Sequence, residues 1–296
     1  MTIGLVDVDG HHFPNLALMK LSSWHKKQGD EVGWGDMFGV YDRLYMSKVF
    51  TFTADDLMVY DTKETIKGGT GYLDYETTLP EEVEHIMPDY SLYGTDYAVG
   101  FTTRGCPNKC KWCVVPKKEG KINAHADIAE FWSGQKEVVL LDNNILASDH
   151  GLRQLEWSIG KCRVDCNQGL DARLIAESPV IQELLGRVSW TRFIRLACDQ
   201  KSQMPSVRKA VEGIRERSGK VHAFFVYSLI TEDYEDSLDR LNFLRSMHGV
   251  DPFAQPYRDF SGMHEPPQWQ KDMARWANHK AIFRTIEFAD YNRRLT

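Results

Sequence analysis

Three cysteines in the segment FTTRGCPNKCKWCVVP, Cys106, Cys110 and Cys113, stand at the spacing C-x3-C-x2-C. Spacings this short let one loop wrap a single metal centre. Thiolates are the ligands of iron–sulfur clusters, and a [4Fe–4S] cluster takes four ligands. The loop carries three thiols, so one iron would be left without a cysteine and open to a small molecule. Gly105 and Pro107 shape a tight turn, and Trp112 sets an aromatic ring beside the third thiol. Zinc is the other metal reading. A closed structural zinc site needs four ligands, and no fourth Cys or His lies near the loop in sequence.

The elements around this loop are regular. Apolar strand candidates run Tyr97–Thr102, Glu137–Leu141, Arg163–Cys166, Phe193–Cys198, His222–Leu229 and Pro252–Tyr257. Helical patterns separate them, at Ala124–Ser133, Leu152–Ile159, Pro179–Leu185, Val207–Arg217 and Tyr234–Met247. Strand starts lie roughly 25–40 residues apart, as βα units require. This rhythm implies a parallel sheet curved into an incomplete barrel, in which chemistry collects at the carboxyl ends of the strands. Before it, residues 1–95 show a smaller α/β rhythm. A strand at Ile3–Val8 is followed by the turn DGHHFPN and by a helix through Leu16, Met19 and Trp24 that stops at Gly29. Strand-like segments recur at Arg43–Phe52 and Leu57–Tyr60, and Leu79–Gly94 reads as a linker.

Composition bounds the rest. With 42% hydrophobic and 26% charged residues the chain can build a core. Its net charge of −6 gives no overall field toward nucleic acid or anionic membranes. No apolar run approaches the ~20 residues of a membrane helix. The start MTIGLVDVDG lacks the basic stretch and cleavage site of a signal peptide. The expectation is a cytoplasmic protein without a membrane segment, whose six cysteines serve metal or catalysis rather than a disulfide scaffold.

The loop resembles that of the radical S-adenosylmethionine superfamily, whose members carry C-x3-C-x-aromatic-C after the first strand of a partial barrel. Cys106, Cys110, Trp112 and Cys113 match that pattern, and the resemblance covers about residues 97–260. It implies an α/β fold with a small Rossmann-like N-terminal domain followed by a partial (β/α)6 barrel. The corresponding ranges are 1–95, 96–262 and a helical C-terminal extension at 263–296. It also implies that the three cysteines hold a [4Fe–4S] cluster whose open iron binds S-adenosylmethionine. One electron then breaks a sulfur–carbon bond and releases a 5′-deoxyadenosyl radical. A reduced flavodoxin- or ferredoxin-like donor would supply that electron. The substrate stays open among RNA, a peptide and a small molecule, as does the choice among methylation, methylthiolation and rearrangement. The alternative from another class is a non-catalytic iron–sulfur or zinc protein acting as a binding module.

Polar residues at the expected strand ends are the cofactor-binding candidates. Where many superfamily members have Gly-Gly-Glu, this chain reads LLDNNIL, with Asp142, Asn143 and Asn144. DCNQGLDARL follows the third barrel strand and offers Asn167, Gln168, Asp171 and Arg173; Asp199 and Tyr227 are candidates for substrate contact. Asp171 and Arg173 also suit an ordinary supporting ion pair. Cys162, Cys166 and Cys198 read as buried structural thiols. The chain order is similar to that of cobalamin-dependent members, but the Asp-x-His-x-x-Gly motif is absent. Asp7, Asp9, Gly10, His11 and His12 stand there instead. Cobalamin is therefore an alternative occupant, and a degenerate domain that shapes the substrate site is the preferred reading. The glycine turn at Gly68–Tyr72 offers weak support for a phosphate. The C-terminal aromatics Trp269, Trp276, Phe283, Phe288 and Tyr291 are spaced for an amphipathic helix packed on the barrel.

Overall fold

A computed structural model describes residues 1–259 and 265–291. The first helix shows how local sequence sets an element. Asn15 caps Leu16–Lys27, its side chain accepting from the Leu18 amide at 3.3 Å, and His25, Lys26 and Lys27 complement the dipole at the other end. Leu18 and Leu21 bury one face of this helix against Ile3 and Leu5 of the first strand.

Strand β1 (Thr2–Asp7) is the centre of a four-stranded parallel sheet with β2 (Glu31–Trp34), β4 (Arg43–Ser47) and β6 (Thr65–Gly68), in the order β2-β1-β4-β6. A two-residue parallel pair, β3 (Val40–Tyr41) and β5 (Asp61–Thr62), lies beside it. Strands β2 and β6 alternate between exposed and half-buried residues. They carry no apolar run, which is why the hydrophobic pattern passes them by. The expected strand Arg43–Phe52 ends at Ser47, and Leu57–Tyr60 is not a strand at all; Leu57 and Val59 are exposed.

Two compact units divide the chain. The first comprises Met1–Gly100 and Ala126–Gln135; the second comprises Phe101–His125, Lys136–Asp259 and residues 265–291. Residues 79–94 are bound into the first unit. Asp89 accepts from the Ser22 hydroxyl and the Lys26 ammonium, both at 2.6 Å, and Lys20 reaches Glu84 at 2.9 Å. Strand β7 (Ala98–Gly100) closes that unit's main run. Gly100 lies against the ring of Phe131, where a Cβ would come within 2.6 Å, and the Tyr90 hydroxyl donates to the Phe131 carbonyl. Instead of the long helix expected over Ala124–Ser133 there is one turn, Ile128–Phe131, held by a capping box of Asp127 and Glu130.

The second unit begins with an antiparallel pair, β8 (Thr103–Arg104) and β9 (Asn123–Ala124). Five strands follow: β10 (Glu137–Leu140), β11 (Arg163–Cys166), β12 (Ile194–Ala197), β13 (Phe224–Ile230) and β14 (Val250–Pro256). β10 pairs with β11, and β12, β13 and β14 pair in turn, all in parallel. Parallel bridges Val164↔Trp190 and Leu170↔Leu196 link the β11 segment to the β12 segment. Each strand therefore lies next to its sequence neighbour, the arrangement that repeated right-handed βα units produce. The helices Asp149–Ser158, Pro179–Arg187, Met204–Ser218 and Tyr234–Ser246 connect them. The chain is thus mixed α/β with parallel sheets.

The helices Gln268–Asn278 and Lys280–Thr285 bury Met273, Trp276 and Phe283 in a cluster with Ile230, Leu241 and Ala254. Residues 263, 264 and 292–296 of the expected extension lie outside the described residues. No described helix is long and apolar enough to cross a membrane.

Candidate functional site

Residues 105–122 form a loop whose neck is the β8/β9 pair. Below the neck the His125 amide donates to the Thr102 carbonyl at 2.9 Å; above it the Cys106 amide donates to the Gly120 carbonyl at 3.2 Å. Gly105 sits at φ +81°, and a Cβ there would lie 2.2 Å from the Lys121 carbonyl oxygen. Only glycine suits that position. Glu119 organises the base of the loop. It accepts from the Gly105 amide and the Asn143 side chain, both at 2.8 Å, and pairs with Arg104 at 3.2 Å.

The three motif thiols share this loop. Cys106 is half-buried, while Cys110 and Cys113 are exposed residues, and the Cys113 amide donates to the Cys110 carbonyl at 3.1 Å. Partial desolvation pushes the Cys110 and Cys113 thiols up, and the neighbouring thiols add to this; Arg173 pulls Cys110 the other way. Among the described residues no three His, Cys, Asp or Glu side chains converge as a metal-holding group. The thiols are gathered by the loop without closing around a common point. Metal loading would draw them together and release their protons.

Asn144 connects the strand ends to the loop. Its side-chain nitrogen lies 3.6 Å from the Cys106 sulfur and 3.5 Å from Asp171 Oδ2. Asp171 also accepts from Asn108 at 2.9 Å and takes a two-pronged grip from Arg173 at 2.8 and 2.7 Å. Burial pushes the Asp171 carboxyl up, but the hydrogen bonds from Arg173 and Asn108 outweigh it and hold the group below its usual range. Asn144 is 3% exposed, and its Oδ1 has no partner; the Trp112 indole nitrogen is likewise buried and unpartnered. Buried polar atoms without partners are uncommon, and each calls for an explanation such as a bound ligand.

The other candidates are placed differently. Asp142, expected at a cofactor, is 5% exposed and accepts from the amides and hydroxyls of both Thr102 and Thr103. Burial pushes its carboxyl up against the pull of those bonds. It ties the loop's entrance and leaves little of its carboxylate for a ligand. Asn143 is a brace for Glu119. Asn167 is half-buried and Gln168 exposed, and the Asn167 carbonyl accepts from the Tyr227 hydroxyl at 2.8 Å. Tyr227 in turn accepts from Arg195, which grips Asp165 at 2.5 and 2.6 Å. Asp199 accepts from the Leu229 amide at 2.9 Å, and its charge reaches Cys110 and Cys113. Cys162, Cys166 and Cys198 are buried and free, and burial pushes the Cys198 thiol up to about 12. Sequence reasoning missed Asn108 and Glu119. The only signal for either was its place inside the cysteine segment.

The donor set suits an iron–sulfur cluster in its chemistry: three thiols on one short loop, with an orphaned amide oxygen buried beside the first. Cobalamin fits less well. The order β2-β1-β4 makes the crevice past β1 and β4 the switch point of the first sheet. Asp9 spans it by accepting from the Val49 amide (2.5 Å), the Phe50 amide (3.3 Å) and the Thr53 hydroxyl (2.6 Å), while His11 stacks on Trp34 at 4.1 Å. No family model matches the chain, and no curated protein matches it significantly.

Proposed function

We propose that the chain is a radical S-adenosylmethionine enzyme, with a [4Fe–4S] cluster held by Cys106, Cys110 and Cys113 at the carboxyl edge of a partial barrel. The observation that carries this reading is the pairing of the C-x3-C-x-Trp-C loop with the buried Asn144 at its edge, whose side-chain nitrogen reaches the Cys106 sulfur and whose Oδ1 has no partner. A bound cluster would supply one electron to S-adenosylmethionine, splitting a sulfur–carbon bond into methionine and a 5′-deoxyadenosyl radical. The chain's own residues prepare that step. Asn144 holds a hydrogen-bond acceptor inside the protein, ready for an ammonium or hydroxyl of the cofactor. Arg173, clamped by Asp171, keeps a guanidinium near Cys110 that favours bound negative charge, such as a carboxylate. The ring of Trp112 offers a flat apolar face for a nucleobase. The sequential parallel strands β10–β14 support the barrel.

The test is anaerobic reconstitution with iron and sulfide, reduction with dithionite, and chromatography for 5′-deoxyadenosine from S-adenosylmethionine. Slow formation by the parent protein and none by Cys110→Ala is the expected result. A cluster-replete, fully reduced protein that never cleaves the cofactor overturns the proposal.

A further inference from the structure

The sheet of the first unit is covered unequally on its two faces. Ile3 and Leu5 of β1 point to one side, where the helix Leu16–Lys27 packs on them. Val6 points to the other, with Leu44 and Met46 of β4. Parallel sheets ordinarily carry helices on both faces. Here the second cover is the β3/β5 ribbon, whose Tyr41 and Tyr60 pack inward on Val6, Leu44 and Met46. The ribbon's outward side chains have nothing over them. Phe38 and Leu57 are 89% exposed, Val59 is 86% exposed, and Met37, Val40 and Met58 lie between 46% and 64%.

These six residues share one place. Residues 37–40 run into β3 and residues 57–59 run into β5, and the two strands pair in parallel, so both segments enter the ribbon side by side from the same end. At roughly 150–200 Å² for a large apolar residue, they present on the order of 800 Å². Soluble monomers rarely expose an apolar patch of more than a few hundred Å². The run Leu57–Tyr60 has the apolar pattern of a strand, yet no backbone hydrogen bond pairs it with another strand among the described residues. Its pattern anticipates cover that one chain does not supply.

We propose that the outward face of the β3/β5 ribbon is a two-fold interface between two copies of this chain. The exposed area matches the about 800 Å² that each partner gives to a stable interface of standard size. In a two-fold dimer the same patch serves both partners, so no complementary patch is needed elsewhere. Of the fifteen large apolar residues exposed in the described chain, six form this face. Three more, Val49, Phe50 and Phe52, lie at the crevice that Asp9 spans, and the other six are scattered from Met1 to Tyr234. Charge disfavours an anionic occupant. Asp36, Asp56 and Asp61 rim the face without a basic partner among the described residues, so they would repel a nucleic acid or an anionic bilayer. Between two copies these carboxylates stay at the wet edge, where salt screens them. The interface is independent of the chemistry of the thiol loop.

The test is analytical ultracentrifugation of the full chain, kept reduced so that Cys110 and Cys113 form no intermolecular disulfide. A dimer of twice 34.1 kDa is expected. It should be no weaker at about 500 mM than at about 50 mM salt, because the contact is apolar and screening relieves the rim. Leu57→Glu/Val59→Glu and, separately, Phe38→Ser/Val40→Ser should weaken it by roughly 100-fold, with circular dichroism spectra like the parent's. Val180→Glu/Val221→Glu, at exposed positions of the second unit, should leave it intact. In the parent, hydrogen exchange over residues 36–62 should slow as the protein is concentrated. A parent that stays monomeric up to about 100 µM overturns the proposal, being then too weak for an interface of this size. So does a dimer that survives both ribbon variants or dissociates as salt rises. A monomer that floats with phosphatidylcholine vesicles, and loses this in Leu57→Glu/Val59→Glu, gives the face to a bilayer and overturns it as well.

Discussion

Asp142 and Thr103 are joined twice, by the Thr103 amide at 2.5 Å and its hydroxyl at 2.7 Å, both to the same carboxylate oxygen. Together with Thr102 this fastens the entrance of the thiol loop to the end of β10. Replacing Asp142 by Ala would leave several buried donors unpaired. Asp142→Ala is expected to lose about 3 kcal/mol of stability in urea denaturation. A loss under about 1 kcal/mol would show that the tie is unimportant.

The thiol assignment has a stoichiometric consequence. Anaerobically reconstituted protein should hold about four irons per chain, the content of one cube. The triple variant Cys106→Ala/Cys110→Ala/Cys113→Ala should hold almost none. Replacing Cys162, Cys166 and Cys198 by Ser should leave the iron content alone, whatever it does to folding. Iron analysis with absorption spectra decides between these outcomes, and unchanged iron in the triple variant would contradict the ligand set.

Asn144 should matter to the small molecule more than to the fold. Asn144→Ala removes the orphaned oxygen and the contact to Cys106. Binding of S-adenosylmethionine to the loaded protein should weaken by about 1–3 kcal/mol, roughly 5- to 150-fold. Calorimetric titration reads this directly, provided iron content is retained. An unaltered affinity would assign the oxygen to some other partner.

Arg240 lies fully buried in the helix Tyr234–Ser246. It donates to the carbonyls of Cys198 (3.0 Å) and Leu229 (2.7 Å), to the hydroxyls of Ser228 and Ser237, and to Asp236 at 2.7 Å. It thereby holds the carboxyl ends of β12 and β13 together. Arg240→Met should cost about 3–5 kcal/mol, because the carbonyls and the Asp236 charge lose their partner. Thermal or chemical unfolding measures it.

Asp89 links acidity to the stability of the first unit. Burial raises its pKa, but bonds from Lys26, Ser22 and Ser91 prevail and bring it from 3.8 to about 2. A depressed carboxyl stabilises the fold at pH above its unfolded value, and the contribution is lost as pH falls from about 4 through 2. Discounted for solvent screening, about 1 kcal/mol is expected. Asp89→Asn should therefore be less stable than the parent at pH 7 and equal to it near pH 1, below both pKa values. Equal stability at both values would remove Asp89 from the account.

What could be read from the sequence follows from where apolar residues stand. β11, β12 and β13 are buried on alternate positions, and their ranges match the apolar runs to within two residues. β2 and β6 were illegible because half of each faces solvent. The helix expected after the cysteine loop shrank to one turn because Asn123 and Ala124 are drawn into the neck opposite Thr103 and Arg104, a pairing between distant residues. In the site, the cysteines and Asn144 could be found from spacing and strand ends. The inward turn of Asp142 could not, since its partners lie 39 and 40 residues away.

The return of residues 126–135 to the first unit governs how that unit can come into being. A nascent chain that has reached Gly100 still lacks Phe131, which backs Gly100 and receives the Tyr90 hydroxyl. N-terminal domains commonly fold while synthesis continues. Here the last segment of the first unit is made only after the whole cysteine loop. The thiols are therefore already present, and reduced or oxidised by their surroundings, before the first unit is complete. A fragment cut at residue 95 or 100 would lack Phe131, and with it the cover of Gly100 and the acceptor of the Tyr90 hydroxyl, whereas an exchange of residues 105–122 between the strands of the neck would transplant the loop alone.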